Sequence, residues 1–180
     1  LTFVVGNPGK TDRLNTVGHL EFLRDRVLPS TLDLLRRREV LLESYSQRSA
    51  ENARRGRDSL LAYQNSRKAR LGGLAGLQDP EIMDRKRAEE AAFRRDAVKN
   101  PSQAATCDAA YAGVDQSLAA WAAIREDYDL LEKGQAFSSR LFVLARTLVR
   151  LAAETEKPNA DRLREYRDSN LDSLKQELFS

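Results

Sequence analysis

Apolar residues recur at helical intervals along most of the chain after residue 14. Leu20, Leu23 and Val27 are separated by three and four residues, and similar spacings continue from Leu32 onward. Such spacings place side chains on one face of an α-helix. The pattern therefore predicts a series of amphipathic helices. Pro29 lies within the first of them and predicts a kink or a short break there.

Prolines and glycines predict where the helices begin and end. Asp79-Pro80 and Asn100-Pro101 are typical helix starts, because an Asp or Asn side chain can cap free N–H groups and proline suits the first turn. Glycines predict a helix end at residues 72–76 and another at Gly134. Pro158-Asn159 predicts the boundary before a last helix, which carries Leu163, Leu171, Leu174 and Leu178.

The first residues have a different pattern. Residues 1–5, Leu-Thr-Phe-Val-Val, predict a short β-strand, and Gly6-Asn7-Pro8-Gly9 predicts a turn. A single strand cannot form a sheet, so we expect its partners to belong to a larger protein. The predicted fold class is all-α: an antiparallel bundle of long helices over residues 15–180, entered by one short strand within residues 1–14.

Composition agrees with helices and excludes several kinds of site. The chain has 180 residues, of which 41% are apolar and 7% aromatic. Cys107 is the one cysteine and His19 the one histidine, so we predict neither an internal disulfide nor a metal site. We expect no cofactor. No run of roughly 18 apolar residues exists, so we predict no transmembrane helix.

Positive charge is concentrated between residues 54 and 70. This segment contains six basic residues and one acidic residue, Asp58, although the whole chain carries a net charge of only +3. Such a block can contact nucleic-acid phosphates, or it can be a solvated helix face with ion pairs one turn apart. Tyr63 is its one aromatic residue and no nucleic-acid-binding signature is present. We favour ion pairs and predict no nucleic-acid partner.

The segment Gly6-Asn7-Pro8-Gly9-Lys10-Thr11 partly imitates a phosphate-binding loop. That motif requires a glycine at position 4, where Val4 stands, and Pro8 removes one of the amides that would bind phosphate. A structural turn is the better interpretation. A degenerate nucleotide-binding domain remains the less favoured alternative.

Candidate chemical groups within the helices are few. His19 has no evident carboxylate or serine partner, and Ser138 and Ser139 lack a nucleophile motif. Asn65 lies in Leu61-Ala62-Tyr63-Gln64-Asn65-Ser66-Arg67-Lys68. Its amide oxygen can accept a hydrogen bond from a ligand's ammonium group, but it can equally bind a backbone group or face water. We assign no catalytic residue to this chain.

The strand and turn from Phe3 to Arg13, followed by long helices, resemble the bacterial dipeptidyl-peptidases seven and eleven and their relatives. Their turn has the pattern Gly-aromatic-Pro-Gly-x-Thr-x-Arg, which is matched at Gly6, Pro8, Gly9, Thr11 and Arg13. Asn7 replaces the aromatic residue. The resemblance extends through Gln64-Asn65-Ser66 and, in general character, over all 180 residues.

The resemblance implies a fold and an activity for the parent protein. These relatives are chymotrypsin-like serine exopeptidases, periplasmic or secreted, which remove dipeptides from free peptide N-termini with a Ser-His-Asp triad. A helical domain inserted into their double β-barrel caps the cleft. Residues 1–14 would then leave the barrel, and residues 15–180 would form the cap. The implied partners are a peptide with a free N-terminus and the barrel domain, and a homodimer stays open.

The resemblance also implies a substrate-binding residue. In these relatives an asparagine of the helical domain helps to hold the α-ammonium group of the substrate, and Asn65 is the best match for it. The relatives carry two asparagines about four residues apart, and Leu61 stands in the upstream place here. The alternative to a peptidase cap is a helical interaction module of a non-enzymatic protein, which would meet an acidic partner through residues 54–70.

Overall fold

The computed structural model describes residues 15–136 and 139–179. These residues are largely helical and contain no strand, so the all-α prediction is confirmed. The α-helices of this part are α1 (Val17–Phe22), α2 (Leu28–Ser46), α3 (Ala50–Gln78), α4 (Pro80–Ala97), α5 (Pro101–Asp127), α6 (Arg140–Thr155) and α7 (Leu171–Phe179). The predicted strand and turn at residues 1–14 lie outside the described residues.

The chain divides into two compact units, with the boundary after Ala119, inside α5. Helices α1 to α4 and most of α5 belong to the first unit. The end of α5, α6 and α7 belong to the second. The single bundle over residues 15–180 stays a prediction.

Helices α2 and α3 form an antiparallel hairpin, and their contacts define its direction. Glu39 of α2 bonds Arg67 of α3, whereas Gly56, near the start of α3, faces Ser46 at the end of α2. Residues that lie later in one helix therefore meet residues that lie earlier in the other. The less exposed positions follow spacings of four and three residues, the pattern of helices that pack along a seam. We call this contact the seam; its positions are Leu28, Leu32, Leu35, Glu39, Leu42 and Ser46 of α2, and Gly56, Leu60, Tyr63, Arg67, Arg70 and Leu74 of α3.

The irregularity predicted at Pro29 is a π-helical turn rather than a break. This turn covers Leu23–Val27 and joins α1 to α2, so the chain remains helical from Val17 to Ser46. Proline cannot donate to the carbonyl four residues before it. At the end of the wide turn, the N–H of Leu28 instead bonds the carbonyl of Leu23, five residues back.

The helix end predicted at residues 72–76 is wrong. Helix α3 continues through these glycines to Gln78, because a glycine lowers helix stability by only about 1 kcal/mol and does not block the hydrogen bonds. The end is set by Asp79, whose backbone is extended and whose carboxylate accepts a hydrogen bond from Glu81 N at 2.9 Å. The predicted start of α4 at Asp79-Pro80 is thereby confirmed.

The end predicted at Gly134 is confirmed. A π-helical turn over Tyr128–Glu132 follows α5, and Gly134 then adopts a φ of 67°. Glycine alone enters this left-handed region without a steric penalty. The start of α5 at Pro101 also agrees with the prediction.

The last helix is shorter than predicted. Residues 159–170 form three short 3₁₀ turns, and α7 begins only at Leu171. The carboxylate of Glu154, which is 6% exposed, accepts hydrogen bonds from Leu163 N at 2.7 Å and from Lys157 Nζ. These bonds hold the chain in turns, although the leucine spacing there suits a helix.

Candidate functional site

Asn65 lies on the side of α3 that faces away from α2. Tyr63 and Arg67, two residues to either side of it, are seam positions, and Asn65 itself is exposed. Within the described part of the chain, its carboxamide makes no hydrogen bond with another residue. Its carbonyl oxygen is therefore available to a donor that arrives from outside the hairpin.

The neighbours of Asn65 on this surface are the residues one turn away. Positions three and four residues apart are adjacent on a helix, with about 5–6 Å between their Cβ atoms. These neighbours are all exposed, and two of them are alanines that leave Asn65 accessible. We call this surface the outer patch; it consists of Leu61, Ala62, Asn65, Lys68 and Ala69.

The seam holds the outer patch in place from behind. The Glu39 side chain is 1% exposed and accepts bonds from Arg67 Nε at 2.7 and 2.9 Å and from Arg36 Nη1 at 3.3 Å. The bond from Arg67 is the main reason that the pKa of Glu39 lies below its ordinary value. Arg38 Nη1 donates to Tyr63 Oη at 3.0 Å. These cross-helix bonds flank Asn65 in sequence and fix the helix that carries it.

Leu61 and Asn65 share one face of α3. Both are exposed and they lie one helical turn apart. A ligand on the outer patch would meet both positions, but of the two only Asn65 carries a hydrogen-bonding group. The neighbourhood of Asn65 could have been read from the spacing of three and four residues in the sequence.

The contacts of the basic block agree with ion pairs on a helix surface. Arg54 and Arg55 both bond Glu51, at 2.8 and 2.7 Å, and together they lower the pKa of Glu51 to about 2. Arg67 forms an ion pair with Glu39 across the seam, and Arg70 donates a hydrogen bond to Ser66. Three of the six basic residues of the block are therefore paired with carboxylates within the hairpin.

The other candidates do not assemble into a catalytic centre. Ser139 caps α6 by accepting a hydrogen bond from Phe142 N at 3.2 Å. The imidazole of His19, on α1, bonds no other described residue. Cys107 is half-buried beside a groove of about 720 Å³ between α4 and α5. Ser138 and the loop over residues 6–11 lie outside the described residues.

Neither a metal centre nor a membrane span is found in the part of the chain that the structure describes. No group of three or more candidate ligands comes together there, and no helix is both long and apolar enough to cross a bilayer. The described residues thus define an all-α module whose best candidate site is a binding surface, the outer patch.

Comparison with known proteins places this module in a family. The model of the family Peptidase S46 matches residues 1–180, and the chain therefore belongs to the peptidase S46 family. It is similar to an Asp/Glu-specific dipeptidyl-peptidase of Shewanella putrefaciens (strain CN-32 / ATCC BAA-453), with 26% identity over 175 residues. The resemblance to bacterial serine dipeptidyl-peptidases is confirmed.

The two chains differ greatly in length. The match covers 94% of this chain but 22% of the Shewanella protein. This chain thus spans less than a quarter of the length of that relative. No solved structure matches the chain significantly.

Proposed function

We propose that this chain is the helical cap of a serine dipeptidyl-peptidase and takes part in recognising the free N-terminus of the substrate. The peptidase S46 match over all 180 residues supports the enzyme class. The Shewanella relative is a dipeptidyl-peptidase, which supports the same reaction for the parent of this chain. The all-α fold is compatible with a cap and has no catalytic cluster of its own among the described residues.

One observation carries the assignment of the binding residue: the carboxamide of Asn65 is exposed, and no described residue bonds it. A neutral amide oxygen accepts a hydrogen bond from an ammonium group without needing a countercharge. Hydrogen bonds to charged groups contribute about 1.5–3 kcal/mol. The seam behind Asn65 restrains the helix, so the ammonium group is received at a defined place.

Holding the N-terminus determines which bond is cut. An extended dipeptide spans about 7 Å, so an anchored α-ammonium group places the second peptide bond at a fixed distance. Displacing the reacting atoms by about 1 Å can reduce the rate a hundredfold. A cap that anchors the terminus therefore gives release of dipeptides rather than of single residues.

The rest of the proposal concerns the parent protein. The Ser-His-Asp triad belongs to a β-barrel domain of the parent protein, to which residues 1–14 connect the cap. The long helices pack as an antiparallel bundle over the cleft and restrict entry to unstructured peptide N-termini. The enzyme is periplasmic or secreted, and a homodimer is compatible with this arrangement.

The test is Asn65→Ala in the full-length enzyme. We expect kcat/KM for dipeptidyl substrates with a free α-amine to fall by about tenfold to a hundredfold, because one charge-assisted hydrogen bond is lost. Gln78→Ala is the matched control, since Gln78 is an exposed carboxamide at the end of the same helix. It should leave kcat/KM unchanged. Equal kcat/KM for Asn65→Ala and wild type would refute the assignment.

A second variant addresses the position of Leu61. Adding Leu61→Asn to Asn65→Ala places a carboxamide one turn upstream on the same face. Recovery of part of the lost kcat/KM would show that an amide at either position can hold the ammonium group. No recovery would restrict the function to position 65.

A further inference from the structure

Three glycines of α3, Gly72, Gly73 and Gly76, are not required as glycines by the folded structure. A Cβ added at Gly72 or Gly73 would meet no atom within 4 Å, and one at Gly76 would meet only Ile82 Cδ1, at 4.0 Å. None of the three has a positive φ. Alanine would fit at each position and would favour the helix more, because glycine is the weakest helix former after proline. Helix α3 is therefore easy to bend over residues 72–76.

The neighbouring helix is irregular at the same level of the hairpin. The alignment of α2 with α3 places Pro29 level with residues 73–77. The π-helical turn Leu23–Val27, just before Pro29, also contacts α3. Sharp bends in helices occur mostly at prolines, at glycine pairs and at π-helical turns. All three features lie side by side here, and we call residues 72–76 with residues 23–29 the glycine–proline level.

Helices α1 and α4 lie beyond this level and are bonded to each other. Glu21 Oε1 accepts a bond from Arg87 Nη2 at 2.9 Å, and Glu90 Oε2 accepts one from Val17 N at 2.7 Å. We call these two helices the base. The glycine–proline level thus separates the base from the part of the hairpin that carries Asn65.

A small bend at this level moves Asn65 by a distance that matters for catalysis. Asn65 lies eight residues before Gly73, which is about 12 Å along the helix axis, and Ala50 at the far end of α3 lies about 35 Å away. A bend of about 10°, half of a sharp kink, displaces Asn65 by about 2 Å and Ala50 by about 6 Å. A displacement of the reacting atoms by about 1 Å can reduce a rate a hundredfold.

We propose that the glycine–proline level is a hinge within the cap, at which the hairpin bends relative to the base when a substrate is bound. The inference rests on the proposed function of Asn65 and adds a conformational step to it. Alanine would favour the straight helix, so glycine is of use only if a bent helix takes part in the reaction cycle. The straight form is the substrate-free one, and the bent form brings Asn65 to the distance at which the anchored peptide bond reacts.

The experiment compares glycine-to-alanine variants of the full-length enzyme. Gly73→Ala tests one position, and the triple variant Gly72→Ala/Gly73→Ala/Gly76→Ala stiffens the whole α3 side of the hinge. Gly113→Ala is the matched control, because Gly113 is an exposed glycine within α5 whose added Cβ also meets no atom within 4 Å. Each variant is measured for kcat/KM with a free-amine dipeptidyl substrate, for Tm by circular dichroism, and for hydrogen exchange over residues 71–78.

We expect stability and activity to change in opposite directions. Gly73→Ala should raise Tm, slow hydrogen exchange over residues 71–78 and lower kcat/KM by up to about fivefold, because the bent form becomes less populated. The triple variant should lower kcat/KM by about tenfold or more. Gly113→Ala should raise Tm similarly and leave kcat/KM unchanged. A rise in Tm excludes loss of folding as the cause of the lower activity.

The outcomes separate the hinge from the role of Asn65. An unchanged or higher kcat/KM in the triple variant overturns the hinge, whatever Asn65→Ala does. Equal losses in Gly73→Ala and Gly113→Ala also overturn it, as does hydrogen exchange over residues 71–78 that the triple variant leaves unchanged. If the triple variant loses activity while Asn65→Ala does not, the hinge stands but acts through another group, and the assigned role of Asn65 is overturned.

Discussion

Replacing Glu39 by glutamine removes the negative charge from the seam while keeping the shape of the side chain. Glu39 is 1% exposed, and its oxygens accept bonds from Arg67 and Arg36. Glutamine retains one acceptor oxygen for Arg67 but has no charge. The variant therefore tests whether this charge holds α2 against α3 behind the outer patch.

The expected destabilisation follows from the exposure of the two arginines. Removing one partner of a fully buried ion pair costs about 3–5 kcal/mol. Arg67 is 29% exposed and Arg36 is 57% exposed, so water partly replaces the lost carboxylate. We expect Glu39→Gln to lower the free energy of unfolding by about 2 kcal/mol, which corresponds to about 4–8 °C in Tm for a chain of this size.

Urea unfolding followed by circular dichroism measures the change. Hydrogen exchange resolved by peptide should show the loss of protection in α2 and α3. Asp33→Asn is the matched control on α2, because Asp33 forms an exposed ion pair with Arg37 at 2.8 Å. Asp33→Asn should lower the free energy of unfolding by less than about 0.5 kcal/mol. A double-mutant cycle with Arg67→Gln should give a favourable coupling between Glu39 and Arg67.

The pH dependence of stability provides an independent check, because the direction in which acid changes the stability is fixed. The pKa of Glu39 in the folded state lies below its ordinary value of 4.5, mainly because of the bond from Arg67. The stabilisation from the Glu39 carboxylate is therefore fully present above pH 4.5, and it is lost as the pH falls through the lowered pKa of the folded state. Wild type and Glu39→Gln should converge in strong acid. A difference that stays constant with pH, or one below about 0.5 kcal/mol at neutral pH, would refute the reasoning.

Two further predictions concern helix boundaries and are measured by the same urea unfolding. Gly73→Ala should stabilise α3 by about 0.5–1 kcal/mol, since no atom lies within 4 Å of the added Cβ. Gly134→Ala should instead destabilise the protein by about 1–2 kcal/mol, because Gly134 has a φ of 67°. Equal effects of the two substitutions would contradict this account. Asp79→Ala should cost about 1 kcal/mol through loss of the bond from Glu81 N, and Asp79→Asn should recover most of it. If the asparagine variant is as unstable as the alanine variant, the side-chain cap is not the cause.

The helical regions were predictable because their signals are local. Apolar spacing and the pairs Asp79-Pro80 and Asn100-Pro101 identified helices and two of their starts, and Gly134 identified an end. Residues 72–76 were misleading, since the cost of glycine in a helix is small compared with what caps and packing contribute. The region around Leu163 was misleading for another reason. The N–H of Leu163 donates a hydrogen bond to the carboxylate of Glu154, nine residues away, and sequence spacing does not reveal such a contact.

By itself, the sequence determined the all-α fold class and the lack of a catalytic set of residue types, because these depend on residue identity and short spacings. The choice of Asn65 came from the resemblance to dipeptidyl-peptidases and stays a prediction. The neighbours of Asn65 follow from helical spacing, but only the tertiary structure decided which face of α3 is buried and which is left exposed. The pairing of α2 with α3 turns Glu39, Tyr63 and Arg67 towards the seam, and this burial leaves Asn65 and Lys68 together on the outer face. Which charges are neutralised follows from contacts such as that between Glu39 and Arg67, which are 28 residues apart in sequence. Electrostatic pairing acts through space, so only the folded chain showed that Lys68 has no partner among the described residues.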